Sequence, residues 1–252
     1  MKRIAWIGIA GLAASLVAAT NPDAKADIKA AAKKLQDASG YSWTSTPKSE
    51  GGGGQGGNRF QPGPTEGKLE KDGVVWIKTT QGDTSTEAIL KAGKSAIKTA
   101  DGWKAGSELQ GNQGNQGGQG RRGNPGAGMA RRLQNFKAPA VEAEGLVDKV
   151  GDLKDEGEGL FSAALTEDGA KSLLTFGGRP GGNNQGPQIT DPKGTVKFWI
   201  KDGALVKYEI NTQGKMSFNG NDRDINRTTT VEFKDVGSTK VEVPEDAKSK
   251  LE

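Results

Sequence analysis

Residues Gly194–Asn211 read GTVKFWIKDGALVKYEIN, and the fold follows from how this stretch alternates. Val196, Phe198 and Ile200 occupy every second position against Lys197, Trp199 and Lys201. Beyond Asp202-Gly203, Val206, Tyr208 and Ile210 alternate in the same way with Lys207, Glu209 and Asn211. A period of two on both sides of an Asp-Gly pair predicts an antiparallel hairpin with one apolar and one largely polar face. Thr228–Asp235 repeats the pattern, with Val231 and Phe233 on one face and Glu232 and Lys234 on the other.

The rest of the chain extends this sheet. Tyr41–Thr46 predicts a strand, Gly67–Glu70 and Val74–Thr80 a hairpin through Lys-Asp-Gly, and Thr84–Leu90 and Lys94–Thr99 a second hairpin through Ala92-Gly93, closed by Asp101, Gly102 and Trp103. Glu158–Leu165 and Thr239–Val243 add further strands, for roughly ten in all. Helical spacing appears at Asp27–Ser39 before Gly40, in the two halves of Ala130–Val150 divided by Pro139, and at Glu167–Leu174 after Thr166 as N-cap. Leu133, Phe136, Leu146 and Val150 form a face able to dock on a sheet, and Pro244 begins a last helical turn.

Three stretches rich in Gly, Asn and Gln interrupt the pattern at about 51–58, 106–128 and 177–187. They hold too little apolar surface to offset the entropy of ordering them, so they read as flexible insertions in one folded body. The second contains Gly-Arg-Arg-Gly, the composition of segments that track single-stranded RNA, but it has no aromatic residue on which a base could stack. Arg121, Arg122, Arg131 and Arg132 are instead candidate contacts for an anionic surface, a membrane among them, and no nucleic-acid partner is expected.

At the N-terminus a short basic start, Met1–Arg3, precedes the uncharged run IAWIGIAGLAASLVAA and the small residues Ala24 and Ala26. This is the layout of a secretory signal peptide over 1–26, with cleavage expected after Ala26 and with Ala19 as the alternative. The folded domain is then expected over 27–252, in the periplasm or outside the cell. Removing 1–26 takes away Lys2, Arg3, Lys25 and Asp23 and lowers the formal charge from +4 to +2, too little for a global basic field.

The chain has no cysteine and no histidine. Disulfides, thiol chemistry, the commonest metal ligand and the usual general base are therefore missing, and no cofactor or metal is expected. Asn219–Asn226 collects Asp222 and Asp224 among amides but lacks the spacing and distal Glu of a calcium loop. Asp152–Glu158 reads as a solvated charge run in a polar turn, not an acid-base pair. No catalytic residue is nominated.

A sheet with one apolar face must cover it, and the few helices are the only available lid. The expected fold is α+β and mostly β, a strongly curved antiparallel half-barrel with helices over its concave face. The order of elements, the DGVVWIK meander, the unit LFSAALTEDGAKSLL, the hairpin VKFWIKDGALVKYEI and the close TVEFKDVGSTKVEVPEDA resemble the LolA/LppX-like superfamily. That resemblance implies a half-barrel that carries lipids or lipoproteins outside the cytoplasm, with acyl chains held between sheet and helices. It covers most of Asp27–Leu251 outside the insertions. The lipobox cysteine of its mycobacterial-type members is absent, and no ligand-contacting residue of its carriers can be matched here. Alternation alone nominates Val196, Phe198, Ile200, Val206, Tyr208, Ile210, Val231 and Phe233 as lumen residues, with core filling as the other reading. The function expected is a non-catalytic lipid or acyl-chain binding protein. The alternative is an envelope structural or interaction protein that meets partner proteins through its long loops.

Overall fold

A computed structural model of the protein describes residues 23–50, 63–111, 125–175, 188–218 and 221–252. Eleven strands form one open antiparallel sheet: β1 Gly40–Ser49, β2 Thr65–Glu70, β3 Val75–Gln81, β4 Thr84–Lys91, β5 Lys94–Thr99, β6 Gly102–Ala105, β7 Lys154–Gly157, β8 Leu160–Ala164, β9 Gln188–Lys201, β10 Ala204–Phe218 and β11 Asn221–Lys234. Their order across the sheet is β6-β5-β4-β3-β2-β1-β11-β10-β9-β8-β7. Two meanders therefore meet where β1 pairs with β11, and the fold is the mostly-β half-barrel that the alternation predicts.

The helices are α1 Ala24–Gln36, α2 Gly106–Gly111, α3 Pro125–Gln134, α4 Pro139–Leu146, α5 Glu167–Leu174 and α6 Glu245–Lys248. α1 lies against β9, β10 and α4; α5 packs on β9 and β10, and α2 and α3 pack on β5. Ile28, Ala31, Ala32 and Leu35 give α1 its apolar stripe, and all four are buried. Under the helices the register aligns a row across four strands, with Phe161 opposite Phe198, Phe198 opposite Tyr208 and Tyr208 opposite Val231. Tyr41, Trp43 and Phe233 join this row through ring contacts, the Tyr41–Phe233 pair edge-on at 5.5 Å between centroids. Thr166 caps α5 as expected, its hydroxyl accepting from the Gly169 N–H at 3.0 Å.

A second, smaller core lies on the opposite face. Val75 and Ile77 of β3 point into the main core, whereas Val74, Ile89 and Ala96 are buried with Ala247 and are flanked by Trp76, Trp103, Val241, Val243 and Leu251. Residues 239–252 thus cross the back of β3–β6. Thr239–Val243 is no strand: the Val241 N–H bonds the Glu70 carboxylate at 2.7 Å in place of a neighbouring backbone.

Several other boundaries differ from expectation. α1 begins at Ala24, three residues early, with Ala24 fully buried and Lys25 donating to the Val150 carbonyl at 3.0 Å. Of the insertion at 106–128, residues 106–111 and 125–128 are helical. The charge run after Asp152 contributes β7, which pairs with β8 through its backbone, a role that needs no apolar side chain. At Asn219–Asn226, residues 221–226 belong to β11, while 219–220, like the insertions at 51–58 and 177–187, lie outside the described residues.

Candidate ligand cleft

Seven of the eight nominated lumen residues stand on the concave side. Val196, Phe198 and Tyr208 have no exposed surface, Ile210, Val231 and Phe233 are buried, and Ile200 is half-buried. Val206 does not join them. The pairing shifts between Leu205 and Lys207, so Leu205 faces Ile200 and is buried while Val206 turns outward, 36% exposed. A bulge of one residue inverts the parity that the Val206-Tyr208-Ile210 run suggests. On the outer face the Lys207 ammonium lies 4.3 Å from the centre of the Trp199 ring, which gives that exposed-side tryptophan a cation–π partner.

Helix α4 closes the concave row from above and is held from three sides. The Tyr208 hydroxyl donates to Glu142 Oε2 at 2.6 Å, Gln36 Nε2 donates to Glu144 Oε2 at 2.8 Å, and just past its end Lys29 pairs with Asp148 at 2.7 Å. Burial, then the charge of Glu142 and the bond to it, hold the Tyr208 phenol well above its ordinary range. Burial of its carboxyl pushes Glu142 upward, opposed by the bond from Tyr208 and the charge of Lys137, although part of the residue stays open to solvent. Burial pushes the Tyr41 phenol up to about 12; the Ala140 backbone opposes this, yet the hydroxyl reaches hydrogen-bonding geometry with no partner among the described residues.

On its other flank α4 borders an open cleft of about 530 Å³ with α3 and α5. That volume lies within the range of small-molecule sites, about 300–1,000 Å³. Its apolar lining is Phe136, Val141, Leu146 and Leu173; its polar lining is Arg132, Asn135, Lys137, Glu142, Lys149 and Ser172. Phe136 stacks on Trp43 at 6.1 Å, which ties the cleft wall to the concave core. Gly145 also lines the cleft, and a Cβ added there would meet nothing within 4 Å. Glycine in a helix interior costs about 0.5–1 kcal/mol relative to alanine, so this one keeps the cleft wide without serving any close contact. Val141, 44% exposed, is one of three large apolar residues left open to solvent among the described residues.

A second cavity, about 560 Å³, lies where β4 begins and β5 ends and is lined mainly by hydroxyls and charges: Thr84, Ser85, Thr86, Thr99, Asp101 and the Glu87–Lys98 pair at 3.8 Å. Neither cavity is lined by a nominated lumen residue. Of the nominated arginines, Arg132 lines the α3–α4–α5 cleft, Arg131 is its exposed neighbour on α3, and Arg121 and Arg122 lie outside the described residues. The cleft residues were legible only in part: Phe136 and Leu146 belong to the predicted docking face, and Gly145 within a helical pattern was the overlooked signal. Among the described residues no group of carboxylates could hold a metal ion, and no helix is long and apolar enough to cross a membrane.

Two solved structures are similar to this chain over most of its length. One is LprF from Mycobacterium bovis, at 10% identity and a TM-score of 0.48, covering 90% of this chain and 99% of that one. The other is the Mycobacterium tuberculosis lipoprotein LppX, at 10% identity and a TM-score of 0.47, covering 89% and 100%. No protein-family model matches the chain, and no curated protein matches it in sequence.

Proposed function

We propose that the protein is an extracytoplasmic, non-catalytic binding protein that holds a lipid or another apolar ligand in the cleft between α3, α4 and α5. The open cleft with an apolar lining carries this reading. Each buried methylene contributes about 0.8 kcal/mol, so an aliphatic chain needs no dense array of polar contacts to outweigh the cost of association. The concave row beneath α1 and α4 is core in this reading and not the lumen, because its central side chains are already fully covered.

Catalysis is not part of the proposal. The one serine in the cleft, Ser172, accepts from the Lys149 ammonium at 2.9 Å and donates to the Gly169 carbonyl at 2.8 Å. A nucleophile needs a base that takes its proton, and here the lysine is the donor. The filled concave row also favours a second reading, an envelope scaffold that keeps the half-barrel and works through its surface.

Native mass spectrometry of the protein recovered from an envelope fraction separates the two. Expected is a lipid adduct that is lost in Gly145→Trp, whose added ring fills the cleft. The mature chain is expected to begin at Thr20, since cleavage after Ala26 would cut α1 and remove the buried Ala24. Protein that carries no lipid in either form would leave the scaffold reading in place.

A further inference from the structure

The charges around the cleft are unequal in a way that its apolar lining does not require. Arg132 comes from the last turn of α3, Lys137 from the link to α4, and Lys149 from the 3₁₀ turn Val147–Lys149 that follows α4. Three cations from three elements thus meet one carboxylate, Glu142. That carboxylate is already engaged, by the Tyr208 hydroxyl at 2.6 Å and by the charge of Lys137. Arg132 and Lys149 form no ion pair among the described residues; Lys149 holds only the neutral Ser172 hydroxyl.

Isolated surface cations are ordinary and ask for no explanation. What distinguishes these is that they rim an apolar cleft, beside the exposed Val141 and the opening at Gly145. A neutral apolar ligand would bring lysine and arginine stems into contact while leaving both charges unused. An anionic head uses them, and a cation near a low-dielectric wall attracts an anion more strongly than one in bulk water. The geometry points to an anionic amphiphile as the ligand, a single aliphatic chain lying on Phe136, Val141 and Leu173 with a carboxylate or phosphate-monoester head between Arg132 and Lys149.

This inference rests on the cleft being the ligand site, and its test keeps the two claims apart. Binding of palmitate and of hexadecanol, the uncharged alcohol with the same chain length, is measured by displacement of a fluorescent fatty acid. The proteins are the wild type, Arg132→Gln with Lys149→Gln, and Gly145→Trp, with thermal unfolding to confirm that each is folded. Expected is palmitate binding roughly tenfold tighter than the alcohol, about what two partly exposed ion pairs supply. That preference should vanish in the double variant and shrink as salt rises, and both ligands should be lost in Gly145→Trp. Equal binding of acid and alcohol in the wild type, abolished by Gly145→Trp, would overturn the anionic head and leave the cleft standing as the lipid site. Binding that survives Gly145→Trp, or no binding at all, would overturn both claims. Displacement of the probe by inorganic phosphate alone would mark a site for free anions and overturn the amphiphile.

Discussion

Helix α4 separates two apolar environments built from similar residues. Beneath it, Val196, Phe198 and Tyr208 are sealed between sheet and helices with no exposed surface. On its outer flank Val141 and Phe136 face a cleft, with Gly145 leaving room where a side chain would otherwise stand. The difference lies in what covers each face and not in its composition: ring-against-ring packing closes the first, while the second has only the rims of α3 and α5. Apolar alternation on a strand therefore announces burial, and it says little about which apolar surface is left for a ligand.

The sharpest way to break the comparison is at its sealed side. Phe198→Ala is expected to destabilise the protein by about 3–5 kcal/mol in denaturant unfolding, the cost of a large cavity in a close-packed core. A loss below about 1 kcal/mol would mean that Phe198 lines a space already empty, and the sealed face would have to be redrawn.

A smaller effect is expected where the two sides touch. Tyr208→Phe removes the donor to Glu142 and should cost about 1 kcal/mol, the ordinary net contribution of one hydrogen bond. Because that bond lowers the Glu142 pKa, its loss should move the titration further up, as followed by NMR of the side-chain carboxyl. Folded Glu142 holds its proton more tightly than the unfolded chain does, so its contribution is full below the ordinary glutamate value of 4.5 and is lost as pH rises through the folded one. A carboxyl that titrates at or below 4.5 in the wild type would contradict the burial described for it.

The smallest effect sharpens the open side. Gly145→Ala should stabilise by about 0.5–1 kcal/mol, because helix propensity improves and the new methyl meets open space. Its counterpart, Gly67→Ala, should destabilise, since a Cβ there would fall on the Trp43 ring. Thermal unfolding that moved both variants in the same direction would remove the distinction between a glycine that opens a cleft and one that admits a packed ring.

Much of the fold could be read from the residues. The hairpin around Asp202-Gly203, the two hairpins from β2 to β5 and the Thr166 cap all have local signals, alternation in the strands and a hydroxyl at the helix start. The misreadings share a cause, which is that the deciding interaction is made with another segment and leaves no mark in the stretch's own pattern. Leu205-Val206 is an apolar doublet, and only the register against Ile200 and Trp199 shows which of the two faces inward. Lys154–Gly157 is polar yet makes a strand because β8 offers it a backbone, while Val241 and Val243 alternate yet pair with no strand because Glu70 supplies the acceptor. The cleft was the least legible part. Its walls come from the flanks of three helices, and no periodicity within one helix says how far its neighbours stand off.

Residues 239–252 bear on the order in which the molecule can assemble. β2 to β6 are local hairpins, but the back of β3–β6 stays uncovered until Val241, Val243 and Ala247 reach it, and β1 has no partner on its other side until β11 exists. A chain that emerges from its N-terminus therefore pairs the strands of its first meander early but covers their outer face late. Its first strands wait, with apolar surface uncovered on the outer face, for residues made much later, and such long-range closure makes for slow folding.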